Sequence, residues 1–187
     1  MIDTFVNYLG QSTAVTIFIF ILLSVYFIIT IWIFVYKSLE LNSSIKKELN
    51  SLNSLYASDL KINPSSTIGM IIGNKPTSKE ILQMCEITLI REATSGLSWQ
   101  SIIASTAPFI GLFGTVVGIL ESFASFQNIA KVSFSTIAPV ISEALIATAA
   151  GIFVAIFAYT FHQILNRKIY LLNTYITSQI NIILSRN

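Results

Sequence analysis

The sequence predicts an all-α membrane protein: three transmembrane helices extended by long cytoplasmic helices, the N-terminus outside and the C-terminus cytoplasmic. Three observations lead there. Of 187 residues, 53% are apolar and only 11% charged, against about 25% charged in an ordinary soluble domain. The charges are also segregated: nothing charged separates Asp3 from Lys37, and residues 93–120 and 144–166 carry none. Each gap exceeds the roughly 20 residues that span a bilayer. Finally, residues 37–100 hold seven Lys and Arg, the stretch after 162 three, the link 128–135 only Lys131, and the first thirteen residues none. The positive-inside rule then places the long loop and the tail in the cytoplasm.

In order along the chain, 1–13 is a short periplasmic N-terminus and 14–36 the first span, bulky on every face and so expected to face lipid. It lacks a basic leader and its apolar core is too long for a cleaved signal, so it reads as an anchor. Residues 37–100 form a cytoplasmic helical region. Leu41, Ile45, Leu49, Leu52 and Tyr56 continue the first helix as an apolar stripe. After a turn region marked by Asn63-Pro64, Gly69, Gly73 and Lys75-Pro76, Thr77 and Glu80 form a capping box. The helix it opens is expected to run past Gly96 into the second span, 101–127. A periplasmic link, 128–135, makes an antiparallel hairpin with the third span, 136–162, and 163–187 is a cytoplasmic C-terminal helix.

The second span carries PFIGLFGTVVG at 108–118. Ala104, Pro108, Gly111, Thr115, Gly118, Ser122 and Ser125 recur at alternating steps of four and three, which keeps one face towards a partner. Every member is small, and Gly114 with Gly118 adds a GxxxG, the pattern that lets membrane helices approach closely. The third span repeats the device in Ala144, Thr148, Gly151, Ala155 and Ala158. Ala104, Pro108, Gly111, Gly114, Gly118, Ala144, Gly151 and Ala155 are thus the expected subunit-packing residues. Thr115 and Thr148 each lie twelve residues from the outer end of their spans, roughly 18 Å deep at 1.5 Å per residue. Level with each other, they make a polar ring if several copies surround a centre.

An ionisable side chain inside the membrane is costly and marks function by default. Glu143, inside the third span beside the small stripe, is therefore a candidate for a proton pathway or pore lining with Thr148 and Thr115. Glu121, nearer the outer interface, is a candidate outer-mouth carboxylate that could equally reach headgroup water. His162, at the inner interface, reads as a solvated histidine. Other chemistry is missing: no phosphate loop, no metal-ligand spacing, no nucleophile–base arrangement, and hence no enzyme and no cofactor. A single cysteine, Cys85, excludes an intrachain disulfide, and a net charge of +2 gives no argument for nucleic acid.

Two segments, STAPFIGLFGTVVGI at 105–119 and IAPVISEALIATAAGIFVAI at 137–156, resemble the second and third helices of the ExbB/TolQ/MotA proton-channel subunits of bacterial inner-membrane motors. They cover about a fifth of the chain, and the order of spans and loops agrees along all of it. The resemblance implies a multi-pass inner-membrane protein forming a homopentamer. Its pore would hold the transmembrane helices of an ExbD- or TolR-like dimer, whose aspartate completes the proton path beside Glu143, Thr148 and Thr115. A TonB- or TolA-like protein would transmit the force. ExbB and TolQ usually have a proline where this chain has Phe157, Glu121 stands where an uncharged residue is usual, and the cytoplasmic loop is far shorter than that of MotA. The leading expectation is an ExbB-type subunit energising TonB-dependent transport. A TolQ-type subunit of the Tol-Pal envelope system is the alternative, and a non-conducting membrane scaffold is the alternative of another class.

Overall fold

A computed structural model of the protein describes residues 14–56, 66, 68–69, 78–126 and 133–185, without the side chains of Ala14, Ser125, Ser135, Thr136 and Glu143. The described elements are helices: α1 (Ala14–Tyr56), α2 (Lys79–Thr94), α3 (Leu97–Phe126) and α4 (Phe134–Leu184). Three stretches are long and apolar enough to cross a membrane, carried by α1, α3 and α4. At 43 and 51 residues, α1 and α4 are more than twice the length a bilayer requires. Each passes without interruption from its uncharged run into the charged positions beyond it.

The start of α2 differs from the capping box expected at Thr77, a residue outside those described. Ser78 is the N-cap, its hydroxyl accepting the Ile81 N–H at 3.4 Å. Glu80 still serves the helix start. Its own backbone N–H and the Ser78 hydroxyl hold its carboxyl below the usual carboxylate range. Nor does α2 run on into the span. It stops at Thr94, the Ser95 N–H bonds the Glu92 carbonyl at 3.2 Å, and Gly96 takes φ +88° before α3 begins. A residue without Cβ adopts that left-handed conformation freely, so Gly96 ends one helix and lets another start.

Two compact units share the chain. One comprises Met1–Trp32 with Trp99–Thr160, the other Ile33–Ser98 with Phe161–Asn187. The second has a core rich in leucine and isoleucine: Leu41, Leu82, Ala93, Leu97, Leu165, Ile169, Leu172, Ile176 and Ile180 are buried together. Phe34 stacks on Phe161 with ring centroids 4.1 Å apart. Lys37 reaches the Glu92 carbonyl at 3.2 Å and pairs with Glu40 at 2.9 Å, so a cation sits on the last turn of α2, where the helix dipole favours it. Burial also raises the Cys85 thiol above its ordinary range.

A polar cluster crosses this core. Gln179, fully buried on α4, accepts the Ser51 hydroxyl at 2.8 Å and donates to the Glu48 carboxylate at 2.9 Å and to the Glu48 backbone carbonyl at 3.1 Å. Both amide atoms are therefore used, which fixes the register of α4 against α1 more narrowly than leucine contacts would. Gln179→Leu is expected to cost about 1–3 kcal/mol, since it strips partners from buried polar groups. Asn53→Ala on the exposed face should stay within about 0.5 kcal/mol. Thermal unfolding of the purified protein checks both.

The first unit packs differently. Its buried residues are Ile19 and Leu23 of α1, Ile103 and Ala107 of α3, and Val154, Ala155 and Ala158 of α4. The first span is thus not lipid-facing all round: one of its faces is covered within the chain. Phe157, in the position the resemblance assigns to proline, continues α4 without a break. It packs its ring edge-on to Phe27 (centroids 5.6 Å apart) and against Phe153 (4.8 Å). Large apolar side chains such as Phe109, Phe113, Leu120, Phe153 and Ile156 remain exposed, as they do on a surface that meets lipid or other helices.

Candidate functional site

The site is built where α3 crosses α4 in the first unit. A Cβ on Gly111 would stand 2.6 Å from the Ala147 carbonyl oxygen and 3.0 Å from the Thr148 Cα. A Cβ on Gly151 would stand 2.5 Å from the Ala107 carbonyl oxygen and 3.0 Å from the Gly111 Cα. Only glycine fits at either position. Around this crossing the small stripe of α3 is covered within one chain. Gly114 faces Ala147 and Ile19, each 3.1 Å from where its Cβ would be, and Gly118 faces Ala144 and Thr16 more loosely, at 3.7 and 3.9 Å.

The close approach brings together the two hydroxyls that lie level in the sequence. Thr115 Oγ1 and Thr148 Oγ1 are hydrogen-bonded to each other. Thr115 Oγ1 also lies 3.1 Å from the Ala144 carbonyl and 3.3 Å from the Gly111 carbonyl, and Thr148 Oγ1 lies 3.3 Å from the Gly111 carbonyl. Each hydroxyl has one proton to give. Either Thr148 donates to Thr115, which donates to Ala144, or Thr115 donates to Thr148, which donates to Gly111. The two arrangements point in opposite directions, so the pair can reverse its polarity without moving a heavy atom. Neither hydroxyl supplies a proton of its own near neutral pH. They can pass one on only beside a titratable group.

The remaining candidates divide. Glu143 lies on α4 one residue before Ala144, and its side chain is outside those described. Glu121 is half-buried on α3, and its Oε2 has no hydrogen-bond partner among the described residues. His162 belongs to the other unit and bonds Asn166 through Nε2 at 2.9 Å. Of the expected packing residues, Gly111, Gly114, Ala144, Gly151 and Ala155 are buried within the chain, while Ala104, Pro108 and Gly118 keep part of their surface open. Thr115 is covered, at 8% exposure, and Thr148 is the more open of the two. No metal-binding group of His, Cys, Asp and Glu occurs among the described residues. Thr30 and Gln100, which the sequence pattern does not single out, are fully buried in this unit. The signal available for Thr30 was a polar residue within an uncharged run.

Residues 42–177 match the model of the MotA/TolQ/ExbB proton channel family. The chain belongs to that family. A Helicobacter pylori protein provisionally named biopolymer transport protein ExbB-like 1 is 43% identical over the full length of both chains. The biopolymer transport protein ExbB of Pseudomonas putida is 43% identical over 79 residues, 42% of this chain and 24% of that one. The Tol-Pal system protein TolQ of Pseudomonas aeruginosa is 47% identical over 62 residues, 33% of this chain and 27% of its own. The matched residues include Gly111, Thr115, Thr148 and Gly151 of the helix crossing.

The glycine geometry separates two substitutions that the sequence pattern treats alike. Gly111→Ala is expected to lower stability by about 1–3 kcal/mol or to prevent assembly, because the backbone of α4 cannot yield to a methyl group. Gly118→Ala, whose methyl would make ordinary contacts, should be nearly neutral. Yield and thermal stability of the detergent-extracted protein read the difference.

Proposed function

We propose that this protein is the proton-conducting subunit of an ExbB-type inner-membrane motor. In this reading its helices surround the transmembrane helices of an ExbD-like partner, and the proton motive force energises transport across the outer membrane. The observation that carries the reading is the hydroxyl pair, Thr115 with Thr148, held level by a glycine crossing in a chain of the proton channel family. One subunit offers two hydroxyls and the Glu143 carboxyl, which is not a continuous path. A titratable group on a partner helix in the centre supplies what is missing. Thr148, the more open hydroxyl, then lines the pore, Thr115 backs it, Glu143 exchanges the proton, and Glu121 marks the outer mouth.

Subunit contacts in this reading fall to the open part of the stripe, Ala104, Pro108 and Gly118, and to the exposed apolar side chains of α3 and α4. A pentamer is the assembly the family resemblance implies. The Lys and Arg distribution supports placing the second unit in the cytoplasm, where its leucine–isoleucine core and charged surface suit water. A TolQ-type role in the Tol-Pal envelope system is the second reading, supported by the local likeness to TolQ. Relatives that match throughout are named ExbB-like, and this favours the first. No part of the reading requires an enzyme or a cofactor.

Proton flux in proteoliposomes and uptake-dependent growth test the proposal, with Glu143→Gln, Thr148→Val and Thr115→Val each checked for assembly. Flux and growth are expected to fall at least about tenfold for Glu143→Gln and Thr148→Val in assemblies of normal size, a change equivalent to about 1.4 kcal/mol or more in a barrier. Normal flux and growth in all three variants would leave the helix crossing as a packing surface only, and the non-conducting scaffold would take its place.

A further inference from the structure

Apart from the threonine pair, the first unit encloses a second polar site, between α1 and α3. Thr30 and Gln100 are both 0% exposed. The Gln100 side-chain amide donates from Nε2 to the Thr30 backbone carbonyl at 3.3 Å. That bond fixes which way the amide points, because the reverse orientation would set two acceptor oxygens against each other. Gln100 Oε1 is therefore left needing a donor. On the other side Thr30 Oγ1, whose proton needs an acceptor, also has no partner among the described residues. The next turns of both helices, with Tyr26, Phe27, Ile103 and Ala104, belong to the apolar cluster, so bulk water does not meet these demands.

We propose that Thr30 and Gln100 hold a buried water molecule that bridges α1 to α3. The chemistry selects water among small ligands. One molecule donates to Gln100 Oε1 and accepts from the Thr30 hydroxyl, which answers both requirements at once. An apolar occupant would meet neither, and a lipid headgroup does not fit between two side chains with no exposed surface. The site is independent of the motor reading, since it rests on α1 and α3 alone. Its physical effect is to tie the first helix, which also packs through Ile19 and Leu23, to α3 through a polar contact in an apolar surround.

The test is a structure of the full chain in lipid nanodiscs at a resolution that shows ordered water, together with a double-mutant cycle. Density within hydrogen-bond distance of both Thr30 Oγ1 and Gln100 Oε1 is the expected result. A direct bond between those two atoms, or a bond from the Thr30 hydroxyl to its own helix backbone with no density beside Gln100, overturns the proposal. In the cycle, Thr30→Val and Gln100→Leu should each lower the midpoint of thermal unfolding by at least about 2 °C. The double variant should fall less than the sum, because both sides of the polar contact are removed together. Additive losses overturn the coupling that a shared water requires.

Discussion

Where α3 crosses α4, backbone atoms of each helix occupy the space in which the other would carry a Cβ, at Gly111 and at Gly151. The hydroxyls of Thr115 and Thr148 meet because the two backbones come this close. So does the covering of the small stripe by Ala144 and Ala147. Lipid tails are as apolar as leucine, so the membrane offers little hydrophobic drive for helices to pair, and close packing with hydrogen bonds must do so instead. The crossing supplies both. It also confines the polar atoms of the threonine pair to one short stretch, leaving the other faces of α3 and α4 free to be large and apolar.

The two units are packed in different ways. In one, alanine and glycine bring α3 and α4 close and leave bulky side chains outside. In the other, leucine and isoleucine fill an interior, and a buried glutamine sets the register through Ser51 and Glu48. Because α1 and α4 each run through both without interruption, these helices are structural elements common to the two units.

Much of this was legible in the sequence, for identifiable reasons. Charge segregation reports directly on the cost of burying ions in hydrocarbon, so three spans could be read from the uncharged runs that end at Lys37, Glu121 and Arg167. Depth arithmetic placed Thr115 and Thr148 level because helix rise is constant. What periodicity cannot say is which surface covers a stripe. The small residues of α3 could face another copy or their own α4, and only coordinates place Gly111 against Thr148 of the same chain. Helix boundaries were also less legible. Thr77 and Ser78 are both good N-caps, and Gly96 ends a helix through a positive φ that a pattern of apolar residues does not register. The polar contact of Thr30 with Gln100 depends on helix rotation, which one polar residue in an apolar run leaves open.

The claim that the two hydroxyls act as one relay is tested most directly by a double-mutant cycle on proton flux with Thr115→Val, Thr148→Val and the pair combined, each in assemblies of verified size. If the hydroxyls hand on a proton together, removing the second after the first changes little, and the double variant conducts about as well as the poorer single one. Losses that multiply would show two independent contributions and contradict the relay.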